Sequence, residues 1–236
     1  MVPEEVHIWS ARQPSEPSPD LERALSPEER DRAGRFHFVE HRSAFAFAHG
    51  VLRDVLSQYL HRPPRDIRFR QNAFGKPSLD ETDGGRQTEF NLSHAGRLVL
   101  IGLCRGRRIG IDVEEIRPMD DISAIAESHF TSQEHEFIFR QQPADRDRTF
   151  FRCWTRKEAY VKAVGKGLSI PLNSFDTLTS EAQRGGLLDS GSSSKDGAMW
   201  QLADLELPEG YVGAVAVETG INRLVCFEWQ PGMIKN

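Results

Sequence analysis

Two short runs of this sequence carry side chains that could do chemistry together. In Trp154-Thr155-Arg156-Lys157-Glu158-Ala159-Tyr160-Val161-Lys162 a carboxylate and an ammonium stand four residues apart in a strongly helix-forming stretch. Glu158 and Lys162 therefore share one helix face. Earlier in the chain, Ile109-Gly110-Ile111-Asp112-Val113-Glu114 reads as an apolar strand with acids at i and i+2. A period of two puts Asp112 and Glu114 on one face as well. Three carboxylates and a lysine that converge would suit a hard cation and a phosphate. A Glu–Lys pair at i,i+4 is by itself a common solvated ornament, worth about 0.2–0.5 kcal/mol. Placement sets these apart: Asp112 lies inside its apolar run, and Glu158 has Trp154 and Val161 near it on the helix surface.

A phosphate also needs donors and positive charge. Gly75-Lys76-Pro77 offers a lysine in a tight loop, and Asn91-Leu92-Ser93-His94 ends a strand with amide, hydroxyl and imidazole. Arg32, Arg42 and Arg53 punctuate the first helical stretch. Each has an ordinary alternative: a turn for the glycine–lysine–proline, a satisfied turn or core histidine for His94, solvated helix surface for the arginines.

The elements that must position these groups occur twice in the same order. In the first half, a strand at Val6–Trp9 precedes a capping box at Ser26-Pro27-Glu28-Glu29, with proline at the first helical position. Apolar residues at helical spacing then predict a helix over about Glu40–Leu60. Strands follow at Ile67–Phe69, Phe90–Ser93 and Leu98–Cys104. In the second half, the strand Ile109–Glu114 precedes a capping box at Thr131-Ser132-Gln133-Glu134 and a helix over about Arg146–Val164. Strands are expected at Phe175–Leu178, Trp200–Ala203, Tyr211–Glu218 and Leu224–Trp229. The expected fold is α+β: two pseudo-repeated lobes, residues 1–106 and 107–236, each a long helix on a small, mostly antiparallel sheet. The ligand belongs in the cleft between them. Pro14–Pro19 reads as a connector and Gly185–Gly197 as a mobile hairpin loop.

Composition bounds the rest. With 236 residues and 38% hydrophobic content, the chain can fill one large core or two smaller ones. A net charge of −5 and a pI near 5.9 argue against a nucleic-acid binder driven by bulk charge. The sequence holds no apolar run long enough to span a membrane, and its acidic start lacks a signal core. Cys104, Cys153 and Cys226 are scattered, which reads as reduced thiols in a cytoplasmic protein. The eight histidines are dispersed, which argues against zinc.

Taken together, the motifs Gly75-Lys76-Pro77, Asn91-Leu92-Ser93-His94, Gly110-Ile111-Asp112-Val113-Glu114, Trp154–Lys162 and Gly165-Lys166-Gly167-Leu168 resemble those of the 4′-phosphopantetheinyl transferases. The similarity is to the large, two-lobed, surfactin-synthetase-activating type, and it runs from about Ser26 to Phe175. It implies transfer of the phosphopantetheine arm of coenzyme A to a serine of an apo carrier protein, with release of adenosine 3′,5′-bisphosphate. It implies Asp112, Glu114 and Glu158 as magnesium-site acids, Glu158 as general base, and Lys162 beside the pyrophosphate. Coenzyme A contacts would come from Lys76, Pro77, Ser93 and His94, from Arg32 and Arg42, and from Lys162. Lys157 would join them only by curling back, because it points about 100° away from Glu158. The Ser-Pro-Glu-x-Arg stretch departs from the pattern, with Glu29 where a lysine is common.

The implied partner is an acyl, peptidyl or polyketide carrier, met by a monomer. It would dock on the segment after Glu114, through Met119, Ile122 and Arg117. The alternative is that this segment packs on the second lobe. Two rival functions stay open: a magnesium-dependent nuclease and a non-catalytic binder of coenzyme A or of a carrier. Nuclease sites commonly place the Glu and Lys at i,i+2 on a strand, and here the spacing is i,i+4 on a helix. A non-catalytic binder would be expected to lose one of Asp112, Glu158 or Lys162, and all three are present.

Overall fold

The computed structural model describes residues 1, 5–15, 19–80, 88–178, 188–190, 200–218 and 223–232. One unit is built twice. In the first lobe β1 (Glu5–Arg12) leads into short helices α1 (Pro19–Ala24) and α2 (Pro27–Gly34), then the 22-residue α3 (Val39–Leu60). Strands β2 (Phe69–Gln71), β3 (Pro77–Leu79), β4 (Thr88–Ala95) and β5 (Leu98–Arg105) complete it. In the second lobe β6 (Ile109–Glu115) leads into α4 (Ile122–His129), α5 (Ser132–Phe139) and the 22-residue α6 (Pro143–Val164). Strands β7 (Leu188–Ser190), β8 (Trp200–Asp204) and β9 (Tyr211–Glu218) follow. The pairing repeats as well, because each opening strand lies antiparallel to the last strand of its lobe, giving β1–β5–β4 and β6–β9–β8. The final strand, β10 (Arg223–Glu228), breaks the symmetry. It returns to the first lobe and runs parallel to β1, with Glu5 opposite Arg223.

Local chemistry explains the elements. Ser26 and Glu29 close a capping box on α2, and Thr131 and Glu134 close one on α5, each satisfying two orphan amide groups at the helix start. Helix α3 lays Phe47, Ala48, Val51, Leu52, Val55 and Leu56 against Trp9, Phe90, Val99, Ile101 and Leu103 of its sheet. Helix α6 lays Ala159, Tyr160 and Ala163 on Trp200, Leu202, Ala214 and Ala216. It ends at Gly165, whose φ of 73° suits a residue without a Cβ.

The two sheets meet through a shared core of Val6, Ile8, Leu98 and Leu100 against Ile109, Ile111, Val113, Val215 and Val217. Here β4 and β6 run side by side in separate sheets. Side chains replace the missing backbone ladder: the Ile111 N–H donates to Asn91 Oδ1 at 2.9 Å, and the Val113 N–H donates to Ser93 Oγ at 3.3 Å. The period of two on both strands puts Asn91 and Ser93 opposite these amides. Without them, two buried donors would be orphaned.

Three expected segments fare differently. Phe175–Leu178 is not a strand. It follows a single 3₁₀ turn at Leu172–Ser174, and Thr177 donates both its N–H and its hydroxyl to Glu134, so a side chain replaces ladder partners there. Of the connector expected at Pro14–Pro19, residues 16–18 lie outside the described residues, and α1 begins at Pro19. In the segment after Glu114, Ile116, Met119, Ile122 and Ile125 are half-buried against the cluster that holds Phe130, Phe150 and Phe151, so only part of each apolar side chain is exposed. The Gly185–Gly197 loop lies outside the described residues except for β7. Among the described residues no helix is long and apolar enough to cross a membrane.

Candidate active site

A glycine sets the distance between the two chemically loaded runs. A Cβ on Gly110 of β6 would fall 2.0 Å from Ala159 O and 2.3 Å from Ala163 N, so the backbone of α6 rests directly on β6. Ala159 and Ala163, four apart, supply the small surface for that approach. With strand and helix this close, Lys162 reaches across to Asp112.

Asp112 is nearly buried, and its two oxygens differ. Oδ1 accepts from Lys162 Nζ at 2.6 Å and from Ser93 Oγ at 2.9 Å. Oδ2 is buried and accepts nothing. Burial pushes the carboxyl above its ordinary pKa, and Lys162 and Ser93 oppose that. An orphaned carboxylate oxygen in a half-neutralised site fits a hard divalent cation. Ser93 also accepts from Lys162 Nζ at 3.1 Å. Together with Val113 N–H and Asp112, this uses its one donor and both lone pairs. Ser93 thus gives its proton to Asp112 and orients Asp112 and Lys162.

Glu158 makes no side-chain hydrogen bond among the described residues and lines a cleft of about 320 Å³. Its carboxyl is raised first by burial, then by Asp112 and Glu114. Glu114 is raised by burial, against its hydrogen bond from Arg117 at 3.2 Å. Arg117 keeps about half of its side chain exposed, and its guanidinium also sits over the Phe151 ring. The three acids feel one another's charge. They do not converge as closely as their shared faces suggested: among the described residues no three His, Cys, Asp or Glu stand close enough to hold a metal ion.

The cationic residues are less uniform than the spacing implied. Lys76 and Pro77 line the same cleft as Glu158 and Lys162. The Lys76 ammonium, however, donates to Ile109 O at 2.9 Å and Ala163 O at 3.0 Å. His94 on β4 keeps part of its surface in solvent, but the protein packed around its ring lowers its pKa by desolvation, and His49 and Lys162 lower it further. Pro77 also borders a second cleft of about 570 Å³, which Arg32, His49 and Arg53 line. Glu29 is tied there to His49 and to the buried Arg53. Arg53 in turn donates to Pro64 O and Ile67 O, so it is structural. Arg42 is exposed and lines neither cleft. Lys157 is a clear correction. Its side chain is fully buried, paired with Glu134 at 2.7 Å and donating to Leu172 O and Phe175 O, and it cannot reach a nucleotide. Sequence spacing correctly turned Lys157 away from Glu158. A buried acid at the third position of a capping box is the signal that could have named its partner.

Comparison with known proteins decides the family. Residues 108–216 match the 4′-phosphopantetheinyl transferase superfamily, and residues 13–104 match the N-terminal 4′-phosphopantetheinyl transferase family. The chain is 34% identical over 233 residues to the 4′-phosphopantetheinyl transferase HetI of Nostoc sp. strain PCC 7120, covering 98% of this chain and 92% of that one. The chain belongs to the 4′-phosphopantetheinyl transferases. It is also 28% identical to the transferase Sfp of Bacillus subtilis strain 168 over 206 residues, 86% of this chain and 81% of that one. Among solved structures, Thermotoga maritima holo-[acyl-carrier-protein] synthase superposes with a TM-score of 0.35 at 21% identity, over 47% of this chain and 62% of that one. In this transferase the Asp112–Ser93–Lys162 knot joins the two matched halves, since Ser93 comes from the first and its partners from the second.

Proposed function

We propose that this transferase moves phosphopantetheine from coenzyme A to a serine hydroxyl of an apo acyl, peptidyl or polyketide carrier protein. The observation that carries the reading is a pair of unsatisfied carboxyl groups on either side of Lys162: Glu158 on the cleft wall and Asp112 buried behind it. Asp112 Oδ2 and the Glu158 carboxylate, both acceptors without donors, stand beside an ammonium that is already oriented. Asp112 and Glu158 would hold a divalent cation, with Glu114 close by. When bound, such an ion supplies charge neutralisation for the pyrophosphate. Glu158 takes the serine proton; its raised basicity suits a base working near neutral pH. The serine oxygen bonds to the phosphorus that bears the pantetheine arm. The bond from that phosphorus to the bridging oxygen breaks, and adenosine 3′,5′-bisphosphate leaves. Lys162 faces the charge that develops on the leaving group, where a preoriented cation contributes most.

The test is mass spectrometry of a panel of apo carriers incubated with coenzyme A and magnesium. At least one carrier is expected to gain a phosphopantetheine mass, and chelation of the metal is expected to abolish the gain. An unmodified panel overturns the proposal. A cleaved plasmid in a parallel reaction would favour a nuclease instead.

His94 is proposed to meet the 3′-phosphate. Because its pKa is lowered in the free protein, it is mostly neutral at neutral pH and gains a proton when an anion binds. The preference for coenzyme A over 3′-dephospho-coenzyme A is therefore expected to widen as pH falls through the histidine range. His94→Ala is expected to narrow that preference by about 10-fold, the scale of one charge-assisted hydrogen bond. A preference that stays unchanged in both experiments removes His94 from this role.

A further inference from the structure

We propose that Lys76 is a positioning residue of the transferase rather than a ligand of the pyrophosphate: with Asn72 it pins the end of α6 to the start of β6, and so sets the meeting of Lys162 with Asp112. The inference rests on the function proposed above. Its support is geometric. The two acceptors of the Lys76 ammonium belong to the two elements of the site. Ile109 opens β6 three residues before Asp112, and Ala163 directly follows Lys162 on α6. Two of the ammonium's three protons are thereby committed to backbone carbonyls.

Asn72 works on the same helix end. Its Nδ2 donates to Gly165 O at 2.8 Å, while its Oδ1 accepts from Phe74 N–H and Lys76 N–H, each at 2.9 Å. One side chain thus shapes the loop that carries Lys76 and ties it to α6. Ala163 belongs to the last turn of α6, whose carbonyls lack partners within the helix and carry the negative end of its dipole, and Gly165 caps that turn. A first-lobe cation placed there is favoured by charge and donor count together. Gly165 completes the fit, since a Cβ on it would come within 2.9 Å of Lys76 Cδ.

The tie holds best while Lys76 is charged. Burial lowers its pKa to about 8; Glu89 on β4 and Cys104 on β5 oppose that shift, and Arg108 before β6 adds to it. Glu158 and Lys162 of α6 line the same cleft. Loss of the proton above that pH weakens the attraction to both carbonyls, so the chemical step should slow on the alkaline side.

Lys76→Met keeps the stem and removes the ammonium. The single-turnover rate at saturating coenzyme A is expected to fall by about 10-fold or more, while the dissociation constant for coenzyme A stays within roughly 3-fold. The alkaline limb of the rate profile is expected to disappear with the ammonium. A variant whose coenzyme A affinity drops by about 10-fold while its saturated rate is kept overturns the proposal. So does a variant as active as the parent. If Lys76→Met does not melt cooperatively, Asn72→Asp takes its place, because it keeps the loop acceptor and turns the donor to Gly165 into a charged oxygen that repels that carbonyl. It is expected to slow the same step without changing coenzyme A affinity, and an unaltered rate overturns the proposal. A parent protein that modifies no carrier counts against the function; an active parent with equally active variants counts against Lys76 alone.

Discussion

Asp112→Asn and Glu158→Gln are each expected to cut phosphopantetheine transfer by about 10²–10⁴-fold while leaving the protein at least as stable as the parent. The two halves of that result share one cause. Burial is the first contribution to both carboxyls and raises their pKa above the ordinary value. A carboxyl raised in the folded state contributes stability that is complete below its unfolded pKa and is lost as pH rises through its folded one. At neutral pH each ionised group is therefore a cost to the fold, held in place for chemistry. Removing the charge relieves that cost. Lys162, the partner of Asp112, keeps about a third of its side chain exposed, so water can take over its ammonium. Magnesium is expected to raise the melting temperature of the parent and not of the variants. Transfer within about 3-fold of the parent in either variant would sink the assignment. A clear drop in melting temperature alongside the lost activity would mean that the groups hold the fold instead.

Gly110→Ala is expected to be the most damaging single methyl in the protein. The new Cβ would meet backbone atoms of α6 at 2.0 and 2.3 Å, and backbone cannot rotate aside as a side chain can. Overpacking costs about 1–3 kcal/mol when neighbours can adjust and more when they cannot. A loss of about 3 kcal/mol would lower the melting temperature by roughly 6–12 °C in a chain of this size. If α6 instead slides away, Lys162 leaves Asp112, and a shift of about 1 Å can cost about 100-fold in rate. Thermal melts and single-turnover rates read the two outcomes separately. A variant normal in both would show that α6 does not rest on β6 in the way its contacts imply.

Much of this was legible in the sequence, for reasons that can be traced. The two capping boxes, the long helices and most strands follow from local periodicity and end chemistry, which depend on residues within one turn or one pleat. Asp112, Glu158 and Lys162 stood out because acids and a lysine sat at positions a core would otherwise fill. What stayed hidden depends on where a long side chain ends. Lys76, Lys157 and Lys162 look alike in sequence, yet their ammonium groups go to two backbone carbonyls, a buried glutamate and a buried aspartate. Period alone could not show that Asn91 and Ser93 substitute for a strand ladder, because their partners lie in the other lobe. Nor could it tell Gly110 from a glycine that merely loosens a strand. The strand expected at Phe175–Leu178 failed because Glu134, distant in sequence, took over its hydrogen bonds.

The returning strand β10 bears on how the molecule comes into being. Strand β1 is made long before its parallel neighbour, since Glu5 and Arg223 pair although they stand 218 positions apart in the chain. Trp229 then seats against Phe47 and donates to Asp54 in the middle of α3. The first lobe therefore waits through synthesis of the whole second lobe with one flank of β1 open. Closing so long a loop is slow, and an unpaired strand flank invites foreign pairing in the meantime. The repeat visible in the sequence is thus not a pair of independently maturing halves. The first sheet is completed by a strand that follows the second lobe, and anything that delays β10 leaves that flank exposed.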